Sequence, residues 1–86
     1  MQDRDILLRL LYRAFLDIRL AARAGNVQVG EALSNLLHTL PLAMLKCGDD
    51  RACDSVVLED LKKRAEMLGL SKWLDTALRD VAVNEE

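Results

Sequence analysis

The sequence has very few aromatic residues and little proline: Phe, Trp, Tyr and Pro each occur once among 86 residues. Leucine occurs 18 times, and this bias favours helices over strands. The chain is 51% apolar and 30% charged, which excludes an intrinsically disordered tail or a low-complexity fibre. We therefore expect a single helical domain over residues 1–86, of the all-α class.

The chain also lacks a long apolar run and a strong charge of either sign. Its longest nearly apolar stretch, 36–45, is interrupted by His38 and Pro41, so it falls short of the roughly 20 apolar residues of a membrane span. The charged start, residues 2–5, argues against a secretory signal peptide, and we expect a cytoplasmic protein with no membrane contact. A net charge of −2 argues against a typical nucleic-acid binder.

Cysteine is scarce as well, with Cys47 and Cys53 the two in the chain. Two thiols and the distant His38 do not make a four-ligand zinc site, and the pair lacks the Cys-x-x-Cys spacing. We expect a polar connector with unpaired, half-buried thiols, and a reversible disulfide is the alternative left open. Asp54 or Ser55 is the predicted cap of the helix that follows.

Glycine and proline divide the chain into helical segments. Gly25 and Gly69 are of the residue type that ends helices in the left-handed conformation. Asn26 and Ser71 can each cap the helix that follows, and Pro41 interrupts the second helix. The predicted segments are helices over 3–24, 27–40 and 55–68, a helix from Ser71, and a kinked continuation or separate short helix over 42–47. They predict a compact bundle of two antiparallel hairpins with four main helices.

The first helix carries apolar residues on both sides. Its predicted core-facing arc of about 160° holds Leu7, Leu10, Leu11, Ala14, Phe15, Ile18, Ala21 and Ala22. The opposite arc holds Tyr12, Leu16 and Leu20 among Arg9, Arg13, Arg19 and Arg23. Tyr and Arg are enriched at binding hot spots, and most soluble oligomers are symmetric, so this arc predicts a homodimer interface. The alternative is that the last helix or the segment after Pro41 covers the two leucines.

The arginines also permit a second interpretation, a phosphate-binding or nucleic-acid-binding stripe. A further basic cluster lies at 62–64. However, Asp5 and Asp17 each lie four residues from an arginine, and such pairs neutralise one another on a helix surface. Because the chain is acidic overall, we expect a solvated, salt-bridged face here rather than a nucleic-acid site.

A third interpretation is a small polar pocket for a ligand or for catalysis. His38 shares a face of the second helix with Glu31 and Asn35, and antiparallel packing would bring these near Arg13 and Asp17. His38 could then transfer protons while Asp17 holds it, although a purely structural role for these groups is commoner. Glu31 and His38 lie about 10 Å apart along the helix, too far to share one metal ion. No cofactor and no metal is predicted.

The sequence analysis therefore favours a non-enzymatic interaction or regulatory module that acts as a homodimer. The polar pocket around His38 and the arginine stripe remain the alternatives. Neither a specific partner nor a specific ligand follows from the residues.

Overall fold

The computed structural model describes residues 2–83, and this part of the chain is helical throughout apart from its turns. The helices are α1 (Asp3–Arg23), α2 (Val27–Leu37), α3 (Leu40–Cys47), α4 (Arg51–Met67) and α5 (Ser71–Val83). The predicted all-α bundle of two antiparallel hairpins is confirmed, with α1 and α2 forming one hairpin and α4 and α5 the other. The short helix α3 connects them.

Both hairpin turns are built on a glycine with positive φ. At the end of α1, Gly25 has φ 72°, and the next backbone N–H, that of Asn26, donates to the carbonyl of Ala21 at 2.8 Å. Gly69 ends α4 in the same way with φ 73°. This arrangement satisfies carbonyls that a helix end otherwise leaves unpaired. Asn26 also caps α2, because its side chain accepts from the backbone N–H of Val29.

The helix boundaries around Pro41 differ from the prediction. The second helix ends at Leu37 rather than at residue 40, and α3 begins at Leu40, before the proline. Pro41 therefore lies in the first turn of α3, where a missing N–H costs nothing because that position has no intrahelical acceptor. The break between the helices falls at His38 and Thr39, so the separate short helix is the correct alternative.

The start of α4 was also predicted wrongly. The helix begins at Arg51, and its cap is Asp50, whose carboxylate accepts from the backbone N–H groups of Ala52 and Cys53. Asp54 and Ser55, the predicted caps, lie inside the first turns of the helix. Asp54 is buried, and its carboxylate serves a contact with α1 instead.

The expectation of unpaired thiols is wrong, because Cys47 and Cys53 form a disulfide with their Cα atoms 5.4 Å apart. Cys47 is the last residue of α3 and Cys53 lies in the first turn of α4. The bridge therefore closes the connection between these two helices. It is compatible with the antiparallel course of α3 and α4.

Leucine builds most of the core. Leu7 and Leu10 of α1 and Leu33 and Leu36 of α2 are its largest fully buried side chains. Most of the predicted stripe of α1 is buried or packs against the core, but Phe15 is 60% exposed and Ala22 is exposed too. These two residues were expected in the core and lie instead at the margin of the arc, where no neighbouring helix covers them.

Contacts between side chains show how the helices run. Arg4 pairs with Asp54, so the beginnings of α1 and α4 lie together. Arg9 contacts Val81 near the end of α5, and Asp17 contacts Trp73 near its start, so α5 runs antiparallel to α1. Because α4 and α5 form a hairpin, α4 runs parallel to α1. Within the described residues, no helix is long and apolar enough to cross a membrane.

Candidate interaction surface on α1

Five large apolar side chains of α1 remain exposed on one side of the bundle. They are Leu8, Tyr12, Phe15, Leu16 and Leu20, and we call them the α1 outer face. Tyr12 is 67% exposed, Leu20 60% and Leu16 42%. The alternative interpretation required α5 or the segment after Pro41 to cover Leu16 and Leu20. Both leucines remain exposed, so this interpretation is wrong.

Two members of this face escaped the sequence analysis. Phe15 was assigned to the core because it lies at the edge of the predicted arc, and Leu8 was not assigned to either arc. The signal for Leu8 is its spacing, since it lies four residues before Tyr12 and continues the row of Tyr12, Leu16 and Leu20 by one turn.

One margin of the α1 outer face is held firmly to α5. The Arg9 guanidinium donates to the carbonyl of Val81 at 3.0 Å. Arg13 pairs with Asp17 at 3.0 Å and also with Asp80. The hydrogen bond to Asp80 raises the pKa of Arg13 above its ordinary value, and the hydrogen bond to Asp17 raises this pKa further. These two arginines therefore belong to the α1–α5 contact.

Asp17 carries a second bond that extends this contact. Trp73 of α5 donates its indole N–H to the Asp17 carboxylate at 2.7 Å. Trp73 also packs against the core, so its apolar body is partly buried and its polar atom is satisfied. The Arg13, Asp17 and Trp73 side chains thus fix α5 beside α1.

A groove of about 510 Å³ runs between α1 and α5, next to the outer face. Its lining is mostly apolar, with polar groups at the edge where Arg9, Arg13 and Asp80 lie. The lining residues are Leu8, Arg9, Tyr12, Arg13, Leu16, Asp80 and Val81. Because the arginine contacts hold both of its walls, the groove is a formed feature of the single chain.

The seven residues predicted for the interface thus fall into three groups. Tyr12, Leu16 and Leu20 lie on the exposed face, whereas Arg9 and Arg13 bind α5. The other two predicted arginines, Arg19 and Arg23, are exposed.

This division leaves less support for a phosphate stripe. Two of the four arginines predicted for the stripe, Arg9 and Arg13, bind α5, so the four do not form one basic surface. In the second basic cluster, Lys62 pairs with Glu59 at 3.4 Å, and Arg64 donates to Thr39 and to the carbonyl of Asn35.

The residues of the predicted polar pocket are not brought together. His38 is exposed, and its Nδ1 contacts the carbonyl of Asn35 at 3.1 Å. Asp17 lies on the α5 side of α1 with Arg13 and Trp73, so it does not hold His38. Glu31 and Asn35 line a separate open groove between α1 and α2. Arg13 and Asp17 lie on the side of α1 that faces α5, whereas Glu31 and Asn35 belong to α2.

One ion pair, between the half-buried Arg4 and the buried Asp54, is not among the contacts that the sequence predicts. The Arg4 guanidinium binds the Asp54 carboxylate at 2.9 Å and donates to the carbonyls of Met44 and Gly48, at 3.1 and 2.7 Å. It therefore joins the start of α1 to the α3–α4 connection. The partners lie 50 residues apart, and no local pattern relates residues at that separation.

Across residues 2–83, no group of three or more His, Cys, Asp or Glu side chains could hold a metal ion. No protein-family model, curated protein or solved structure matches the chain. The features of the molecule that bear on its function are therefore the α1 outer face and the groove beside it.

Proposed function

We propose that this protein is a non-enzymatic interaction module that works as a homodimer through the α1 outer face. One observation carries the proposal: five large apolar side chains lie exposed together on the longest helix of the bundle. Monomeric proteins expose single apolar residues routinely, whereas a contiguous apolar patch marks an interaction site. The exposed Arg19 and Arg23 give this patch a polar rim, as binding interfaces have.

The energy available from this face is comparable with the cost of association. Burying a large apolar side chain completely contributes about 1.5–3 kcal/mol, and these side chains are already partly covered, so each would contribute roughly half of that. Ten such side chains in a dimer contribute on the order of 10 kcal/mol. The lost translational and rotational freedom costs about 4–15 kcal/mol, so the expected dimer is weak to moderate in affinity.

The spacing of the row favours a second copy of the chain as the partner. The α1 outer face contains a row of apolar residues that recur every four positions: Leu8, Tyr12, Leu16 and Leu20. This row therefore has the same spacing in both directions along α1. A two-fold interface needs a patch that is complementary to itself, and a row of this kind meets that requirement.

Analytical ultracentrifugation of the folded chain tests the proposal. Concentrations from about 1 to about 500 µM cover association free energies of roughly 4.5 to 8 kcal/mol, and we expect the mass to rise from monomer to dimer within this range. Leu20→Asp should prevent dimerisation, because it places a charge in the apolar face. Leu45→Asp is the matched control, since Leu45 is 77% exposed on α3, away from this face. A wild-type chain that stays monomeric at the highest concentration contradicts the proposal.

A further inference from the structure

We infer that the two copies pair with their α1 helices antiparallel, and that Leu20 of each copy occupies the α1–α5 groove of the other. This inference rests on the proposed homodimer and assigns the orientation and the occupant of the groove. The row is centred on Ala14. An antiparallel pair crossing there places Leu8 level with Leu20 of the second copy, and Tyr12 level with its Leu16.

The charges at the two ends of the face favour this orientation. Asp5 and Arg23 are both exposed, and they lie about five helical turns apart. Because this is a whole number of turns, both side chains project from the same side of α1, which is also the side of the row between them. Antiparallel pairing about Ala14 brings Asp5 level with Arg23 of the second copy at both ends. Parallel pairing would instead place Asp5 beside Asp5 and Arg23 beside Arg23, which is unfavourable.

The remaining arginines do not oppose the arrangement. Arg9 is level with Arg19 of the second copy, but the two positions differ by about 80° around the helix. Arg9 lies on the α5 side, where its guanidinium donates to the Val81 carbonyl, and Arg19 lies toward the other margin. A two-fold axis perpendicular to both helices keeps the α5 sides of the two copies together, so these arginines lie at opposite margins.

The same symmetry identifies what fills the groove. At 100° per residue, Leu20 projects between the directions of Arg9 and Arg13, and both of those bind α5. Leu20 therefore lies on the α5 side of α1. In the antiparallel pair, Leu20 of the second copy reaches the level of Leu8, where the groove has apolar walls that include Leu8 and Val81. Each copy thus offers one leucine and one groove, and the two contacts are identical.

A charge exchange tests the orientation in the full chain at low ionic strength, where surface charges act most strongly. Asp5→Arg alone and Arg23→Asp alone should each raise the dimer dissociation constant about 3- to 10-fold, because each leaves two like-charged contacts. The double variant Asp5→Arg/Arg23→Asp should return to within about twofold of the wild type. Lys46→Asp, an exposed change on α3, is the control and should have no such effect.

Isotope-filtered NMR on a dimer mixed from labelled and unlabelled chains tests the groove directly. We expect contacts from the Leu20 methyl groups of one copy to the Val81 methyl groups of the other. Contacts between the two Leu20 side chains, or a double charge variant as weak as its single variants, would overturn the antiparallel arrangement while the homodimer itself stands. A chain that is monomeric at all concentrations removes the proposed function and this inference together.

Discussion

Removal of the Arg4 side chain tests how strongly one ion pair holds three helices together. Asp54 is 6% exposed, and Arg4 supplies its carboxylate with contacts from both Nε and Nη2. The same guanidinium also donates to the carbonyls of Met44 and Gly48. Arg4→Ala therefore leaves a buried carboxylate without its counter-charge and two carbonyls without a donor.

The size of the effect follows from the burial of the two partners. Breaking a fully buried pair by removing one partner costs about 3–5 kcal/mol. The Arg4 side chain is 31% exposed, so water reaches part of the pair, and we expect a smaller loss of about 2–3 kcal/mol from the free energy of unfolding. For a domain of this size, that corresponds to a fall of roughly 10–20 °C in Tm.

Urea and thermal unfolding followed by circular dichroism measure this loss. All variants must be compared at one protein concentration, because association adds to apparent stability. Lys62→Ala is the control, since it removes an exposed pair with Glu59 and should cost less than about 0.5 kcal/mol. Asp54→Asn in the Arg4→Ala background should recover part of the loss, because a neutral amide is less costly to bury. An Arg4→Ala variant as stable as Lys62→Ala would refute the reasoning.

Two further predictions concern covalent and backbone constraints. Replacing both cysteines, Cys47→Ser/Cys53→Ser, should lower the free energy of unfolding by about 2 kcal/mol, as expected for a short closed loop. The intact chain should be about 2 Da lighter than the reduced chain, and an unchanged mass after reduction would contradict the bridge. Gly25→Ala should destabilise by about 1 kcal/mol because of its positive φ. Gly30→Ala should instead stabilise the fold by about 0.5–1 kcal/mol, because Gly30 is helical. An added Cβ there lies 3.9 Å from its nearest neighbour, the Cβ of Ala21, so it causes no clash. Equal changes in the free energy of unfolding for the two glycine variants would contradict this account.

The features that could be predicted from the sequence are those with local causes. Gly25 and Gly69 end their helices in the left-handed conformation. Such a helix end depends only on the backbone conformation of a few neighbouring residues. Asn26 caps α2 for a similar reason, since its side chain reaches an N–H three residues away. The helical class and the two hairpins follow from these local signals together with the leucine pattern.

The start of α4 shows where local signals are insufficient. Asp50, Asp54 and Ser55 are all good capping residues, and they lie within six positions of one another. The Asp54 carboxylate binds Arg4, which lies 50 residues away in the chain, and Asp50 caps the helix. The three residues are equivalent as local signals, and a distant partner binds one of them. The local pattern therefore cannot show which residue caps the helix.

The disulfide is a similar case, because two cysteines six residues apart can bond only if α3 and α4 bring their Cα atoms close enough. The bridge also bears on the predicted location of the protein. Disulfides are rare in a reducing cytoplasm, so the bridge weighs against the cytoplasmic prediction, which remains untested.

The surplus of apolar surface on α1 has a cause in the lengths of the helices. α1 has 21 residues, and its inner side is covered by α2, α4 and α5. Covering its outer side as well would take another long helix, but the remaining element, α3, has 8 residues and packs along α4. The chain described here therefore has no helix left to cover Tyr12 and Leu20. In the proposed homodimer, a second α1 with the same length and the same row of apolar residues would supply the missing neighbour.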